Sequence, residues 1–279
     1  MLISIITINY NDKNGLENTI KSVVEQNFRG FEHIIIDGNS NDGSKGVIER
    51  YKNNFSYWVS EPDTGVYNAM NKGIKASKGN YLFFLNSGDV FNREEVLSTV
   101  KKNMTNNLDI YYGDITILND KKEEQLRVHP KDLSFGFFFH KTIAHQAAFI
   151  KKSLFDKVFY YNENLKIVSD WEFFICAIVL HNASYKHIDV IVSKYDDAFG
   201  ISSKPENKKL RLNERRAVFK KHFPLFYDDY VEMKKMRATL NSHLIQQVLK
   251  VKQSYFAKKI LMYILNVLLF FVKKNNKES

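Results

Sequence analysis

The chain has a single cysteine, Cys176, among its 279 residues. No intrachain disulfide can form, and no zinc site built on cysteines is available, which fits a reducing compartment. The opening stretch MLISIITINY has neither the basic n-region nor the small-residue cleavage site of a signal peptide. It reads as a strand that starts at once, and a cytosolic protein is expected. TINYNDKNG stands where a dinucleotide-binding turn would carry G-x-G-x-x-G, and G-x-x-x-x-G-K-[ST] is absent. Dinucleotide oxidoreduction and P-loop phosphate binding are therefore set aside. The glycine-rich N-terminal loop of sugar nucleotidyltransferases is missing too. There is no internal repeat and no low-complexity tract. The apolar stretch ILMYILNVLLFFV covers residues 260–272. As a helix it reaches about 20 Å, short of the roughly 30 Å hydrocarbon core, so it is not expected to span a bilayer. Lys258, Lys259, Lys273 and Lys274 flank it, which suits a helix lying at a membrane interface or against another subunit.

What is present is a globular composition, 44% hydrophobic and 26% charged, in a chain long enough for one large domain with an appendage. The net charge of +10 is uneven: residues 1–203 hold 23 Lys/Arg against 25 Asp/Glu, and residues 204–279 hold 18 against 6. The expected division is a nearly neutral body, 1–203, and a basic helical extension, 204–279. Such asymmetry points to an anionic partner of the tail. The tail lacks the aromatic-interleaved basic β surface that binds single-stranded nucleic acid, so an anionic membrane is favoured and no nucleic acid is expected.

Along the body, apolar strands at 2–8, 31–36, 57–59 and 81–85 alternate with helical spacing at 15–26, 43–51 and 66–76. That is the signature of βαβ units and a mainly parallel sheet. After Asp109 short strands at 110–112, 115–118 and 126–129, with NDKKEE as a turn, suggest antiparallel hairpins. A helix is expected at 169–180, a strand at 188–195, and helix from Pro205 onward with a break near Pro224.

Three polar clusters fall at strand ends, where open α/β sheets bind ligands. In IIIDGNSNDGS, Asp37 directly follows a strand and is placed to accept a hydrogen bond from a nucleobase or ribose; the residues after it suit a turn. In EPDTG, Asp63 or Thr64 is placed to cap the next helix. In LNSGD, Gly88 lets backbone approach a phosphate, Asn86 and Ser87 can donate hydrogen bonds, and Asp89 offers an oxygen to a hard cation. Mg²⁺ is commonly held by one or two carboxylates together with substrate phosphates.

Taken together, SIITINYND, IIIDGNSNDGS, EPDTGVYNAMNKGIKASKGNYLFFLNSGD and VSDWEFFICAI resemble, in order and spacing over about residues 2–200, the inverting glycosyltransferases of family 2. The third element is similar to a subgroup that builds bacterial exopolysaccharide and O-antigen chains. The resemblance implies a GT-A fold: an α/β, Rossmann-like, mixed but mainly parallel sheet flanked by helices, here with a helical C-terminal extension. It implies that Asp37 contacts the uracil or equivalent base of a nucleotide sugar and that Asp63 and Asn71 line the nucleotide pocket. It puts Asp89 at the last acid of the metal-binding D-x-D and Asp170 at the catalytic base. Ser87 replaces the first acid of that motif, Met70 stands where many relatives have arginine, and Ser169 replaces a frequent second acid. His145, Gln146 and Trp171 are further candidates for the acceptor or the diphosphate.

The implied chemistry is metal-dependent transfer, with Mn²⁺ or Mg²⁺, from a UDP-sugar or related donor to a lipid-linked glycan, at the inner face of the cytoplasmic membrane. The alternative is an inactive GT-A domain that only binds a nucleotide sugar or glycan. A homo-oligomer is left open.

Overall fold

The computed structural model describes residues 2–118, 123–196 and 204–275. The strands are β1 (Ile3–Asn9), β2 (Phe31–Asp37), β3 (Tyr57–Ser60), β4 (Tyr81–Phe84), β5 (Val90–Phe91), β6 (Ile110–Leu118), β7 (Glu124–Arg127), β8 (Ala148–Lys151) and β9 (Tyr185–Asp196). The helices are α1 (Lys13–Val24), α2 (Ser44–Tyr51), α3 (Val66–Ala76), α4 (Val96–Asn103), α5 (Phe135–Phe138), α6 (Lys152–Lys157), α7 (Ser169–Ile175), α8 (Lys208–His222), α9 (Tyr227–Leu240), α10 (His243–Val251) and α11 (Tyr255–Asn275). Two compact units divide at Val218 and Phe219.

In the first unit the described strands form one mixed sheet in the order β3-β2-β1-β4-β8-β6-β9-β5, with β7 on β6. β3, β2, β1 and β4 are parallel, as alternating strands and helices require. β8 joins this half to β6 by antiparallel pairing on both sides. β1 and β4 are buried along their whole length because helices cover both faces. On one side Leu16, Ile20, Val47 and Ile48 of α1 and α2 pack on Ile35. Elsewhere Phe83 stacks between Phe91 and Phe149, ring centres 5.2 and 4.5 Å away.

The parallel pairing aligns the strand ends. Asn9, Asp37 and Ser60 are neighbours in register at the carboxyl edge. Asp12 starts α1 as its N-cap, Oδ1 accepting from the Gly15 N–H at 3.0 Å. β6 is one strand where the sequence suggests two pieces; its pairing with β9 is irregular at Gly113 and Asp114, so the polar break is a bulge within a strand. The expected β6–β7 hairpin is present; residues 119–122 of its turn lie outside the described residues.

In the second unit α9, α10 and α11 follow the predicted break at Pro224. The apolar stretch 260–272 is part of the longer α11, and no described helix is long and apolar enough to cross a membrane.

Candidate active site

The turn after β4 is built from below by α1. Asp89 N–H bonds the Asn86 carbonyl at 3.0 Å, and Ser87 N–H bonds the Ile8 carbonyl of β1 at 3.0 Å. Gly88 has φ +91°, the left-handed region that glycine adopts most readily. The buried Thr19 hydroxyl accepts from Gly88 N–H at 3.1 Å and reaches the Asp89 carbonyl at 2.7 Å. Thr19 thus fixes the turn, a role its sequence position inside a helix did not reveal. Asp89 itself is buried.

Asn86 connects this turn to the predicted base. Its Nδ2 lies 3.2 Å from His145 Nε2, and His145 Nδ1 lies 3.2 Å from Asp170 Oδ2. With the amide donating to Nε2, the imidazole carries its proton on Nδ1, toward the carboxylate. Asp170 Oδ1 accepts from Tyr67 Oη at 3.2 Å and from the Trp171 N–H at 2.8 Å. Burial opposes the charge of Asp170, but these bonds outweigh it and hold the carboxyl below its usual range. An ionised carboxylate has about four acceptor positions. Three are filled here, and Oδ2 keeps one.

Asp37 is different. Oδ1 accepts from Asn9 Nδ2 at 2.7 Å and Ser40 Oγ at 2.6 Å; Oδ2 accepts from Ser40 N–H at 3.0 Å and Ser60 Oγ at 2.5 Å. It has no exposed surface, and all its acceptor positions serve to tie three strand ends together. Burial works to raise its pKa, and the four bonds overcome that and lower it.

The open carboxylate at this edge belongs to Asp63. A Cβ on Gly38 would stand 2.5 Å from Asp63 Oδ2 and 3.1 Å from the Tyr10 ring. The missing side chain of residue 38 is therefore what admits Asp63. Its Oδ1 accepts from Gly65 N–H at 2.9 Å, and the adjacent Tyr10 ring is 68% exposed.

Other predicted residues have internal partners. Asn71 is buried, its Nδ2 donating to the Tyr161 carbonyl and Glu163 Oε1, both at 2.8 Å, and its Oδ1 accepting from Tyr161 N–H at 3.0 Å. It lashes α3 to the segment 161–163. Met70 is in the core. Trp171 is also buried, with Nε1 donating to the Phe138 carbonyl at 2.9 Å and Arg215 over its ring at 4.7 Å. Gln146 is buried, its carbonyl accepting from Ser193 Oγ at 2.7 Å. Glu214 accepts from the N–H groups of Lys166 and Ile167 at 2.7 and 3.0 Å. α8 thus holds the loop entering α7, although its Glu214 and Arg215 lie beyond position 203.

For a cation, Asp89 is the carboxylate of the turn, and the Oδ1 of neighbouring Asn86 is buried without a hydrogen-bond partner. No group of three His, Cys, Asp or Glu that could hold a metal occurs among the described residues. This donor set fits a hard ion that arrives with phosphate oxygens and not one held by protein alone.

A model of the family "Glycosyl transferase family 2" matches residues 4–162. An uncharacterized glycosyltransferase of Mycobacterium tuberculosis is 36% identical over 186 residues, 64% of this chain and 69% of the relative. Two solved structures share the fold. Staphylococcus aureus TarS 1–349 in complex with UDP-GlcNAc has TM-score 0.59 and 19% identity over 70% of this chain and 58% of its own. A mannosyltransferase from Pyrobaculum calidifontis, in complex with GDP-Man and Mn²⁺, has TM-score 0.62 and 14% identity over 96% of this chain and 80% of its own. The mixed sheet flanked by helices is the GT-A fold.

Proposed function

Because the chain belongs to glycosyl transferase family 2, we propose that it moves a sugar, with inversion, from a nucleoside diphosphate sugar to a hydroxyl of a lipid-linked glycan in bacterial surface polysaccharide synthesis. The observation that carries the reading is the link Asn86–His145–Asp170, which joins the turn bearing Asp89 to a carboxylate with one open acceptor position. An acceptor hydroxyl is a poor nucleophile until a positioned base takes its proton. Asp170 Oδ2 takes it, while His145, Tyr67 and the Trp171 N–H keep the carboxylate oriented. Asp89 and the oxygens of Asn86 and Ser87 would hold Mn²⁺ or Mg²⁺ with the diphosphate; the ion supplies charge stabilisation to the leaving nucleotide.

Base recognition belongs to Asp63 in this reading, since Asp37 has no acceptor position left. Asp63 Oδ2 takes a base N–H, such as that of uracil, and the exposed Tyr10 ring offers a stacking plane. UDP with Mn²⁺ at about 100 times its Kd should stabilise the protein by about 2.7 kcal/mol. Asp89→Ala should remove the metal dependence of that shift. Gly38→Ala, whose Cβ displaces the carboxylate, should weaken UDP about tenfold, the scale of a charged hydrogen bond, with the free protein's melting temperature unmoved. No shift with any nucleoside diphosphate, with or without metal, rejects the donor site. Metal-dependent binding without sugar transfer selects the inactive, binding-only alternative.

The second unit is assigned to an anionic membrane, where a lipid-linked acceptor is presented. Its support is the basic tail and exposed apolar side chains of α11, among them Phe256, Tyr263, Leu268 and Phe270. Basic residues beside an anionic surface contribute about 1 kcal/mol each, and Lys250, Lys252, Lys258 and Lys259 are close in sequence. Truncation after Ser242, between α9 and α10, should release the protein from anionic vesicles and leave UDP stabilisation intact. A truncated protein that stays on the vesicles, or that changes oligomeric state, rejects the membrane role.

A further inference from the structure

Three side chains outside the reacting groups, the buried His129 and the partly buried Asp114 and His187, form a second cluster. Asp114 follows Gly113 at the irregular point of β6, where a Cβ on the glycine would lie 2.3 Å from the Val190 carbonyl oxygen. Asp114 Oδ1 accepts from His187 Nε2 at 2.9 Å and from the backbone N–H of His129 at 2.9 Å. The His129 ring in turn receives the Ala144 N–H at Nε2, 3.2 Å away. A backbone N–H can only donate, so Nε2 carries the lone pair and this imidazole is neutral with its proton on Nδ1.

Ala144 is the residue before His145, and the segment 141–144 is neither helix nor strand. Side chains hold it instead. Arg127 Nη2 donates to the Thr142 carbonyl at 3.1 Å, and His129 takes the Ala144 N–H. Beyond His145, Ser193 Oγ holds the Gln146 carbonyl at 2.7 Å. The imidazole that faces Asp170 therefore stands on a short span pinned at both ends.

We infer that His129, seated on Asp114, is a positioning residue for sugar transfer: it fixes the backbone at Ala144 and so sets the His145 ring against Asp170. The inference rests on Asp170 as the base of the proposed reaction. A structural filler would only lower stability. A positioning residue changes the environment of His145 and slows turnover while donor affinity stays put.

Two substitutions break the same bond from opposite sides. His129→Leu removes the acceptor. Ala144→Pro removes the donor at a residue whose φ of −68° is the value proline imposes, and its Cδ, standing where the N–H pointed, pushes the His129 ring away. His129→Gln returns an acceptor oxygen near the position of Nε2. The chain has 8 histidines, few enough to follow as separate ring signals in histidine-labelled protein, with His145 assigned by its own substitution. The expected result is a displaced His145 signal in His129→Leu and Ala144→Pro, restored in His129→Gln. Turnover should fall roughly 10–100-fold, the scale of a misplaced catalytic group, with the UDP–Mn²⁺ Kd unchanged. The double variant should be no slower than the slower single one, since both remove one bond.

A His145 signal that stays in place in folded variants overturns the inference. So does a displaced signal with unchanged turnover, or a loss of turnover that only follows the folded fraction. If His129→Leu fails to fold, Ala144→Pro and His129→Gln decide. Full transfer by Asp170→Asn would reject the base reading separately, whatever the His145 signal does.

Discussion

Asp170→Asn is expected to lose transfer by roughly 10²–10⁴, the usual range for removing a general base, with nucleotide affinity within a few-fold of the parent. The substitution keeps the size of the side chain and an oxygen for the bonds from Tyr67 and the Trp171 N–H. It cannot take a proton. It also places an amide where Oδ2 met His145 Nδ1, so the imidazole must turn its lone pair toward residue 170 and donate from Nε2. That loosens the link from His145 to Asn86, but the turn bearing Asp89 is held by Thr19 and by the Ile8 carbonyl and need not move. For that reason the donor side should survive while the acceptor side fails. Asp89→Ala has the opposite signature, with metal-dependent nucleotide binding and transfer lost together. Calorimetric titration of UDP and Mn²⁺ into both variants, beside a transfer assay, separates the two. Near-full transfer by Asp170→Asn would place the base elsewhere, and His145 would then be the first group to test.

The parallel half of the sheet was legible because β1, β2 and β4 are short apolar runs ending in turn residues, with helical spacing between them. β6 was read as two strands because Gly113-Asp114 has the composition of a turn, and only the Val190 carbonyl opposite Gly113 explains why glycine sits inside a strand. β8 was not recognised: Ala148–Lys151 pairs with β4 and β6, both distant in sequence, so no local pattern marks it. The site divides in the same way. Asp170 and the turn at Asp89 stand out in the sequence as motifs, but which carboxylates keep an open acceptor position does not. Asp37 is saturated by Asn9, Ser40 and Ser60, two of them on other strands, and Asp63 reaches the edge only because residue 38 lacks a side chain. Both facts depend on strand register, which composition does not encode. Tyr67 and Glu214 were missed for a related reason. Each acts on α7 from an element far away in the chain, and neither residue type is unusual for a helix.

Acidification from pH 7 to pH 5 is expected to destabilise the first unit by about 4 kcal/mol, well before its carboxylates protonate. Two buried histidines carry this effect. His33 is enclosed, bonded to Thr7 Oγ1 at 3.0 Å and edge-on to the Phe55 ring, and burial pulls it down from 6.5 to about 3. His129 is pulled down from 6.5 to about 4, by burial first and then by Arg127, with Asp114 acting in the other direction and nearby His187 adding a small push downward. Both are bases with depressed folded pKa values. The unfolded chain takes their protons near 6.5, the native protein refuses them until about 4 or below, and stability falls as the pH drops through that interval. At pH 5 the unfolded groups sit about 1.5 units below their pKa, which at 1.36 kcal/mol per unit is about 2 kcal/mol each. Asp37 and Asp170 are held below the ordinary 3.8, so their contribution persists above that value and is lost only at lower pH. Both tryptophans, Trp58 and Trp171, belong to the first unit, so urea unfolding followed by tryptophan fluorescence reports on it alone. His129→Gln should begin less stable or equal at pH 7 but lose about 2 kcal/mol less on going to pH 5, because one of the two proton sinks is gone. A parent stability that is flat between pH 7 and 5 would show that neither imidazole is buried neutral, and an equal loss in parent and variant would remove His129 from the account.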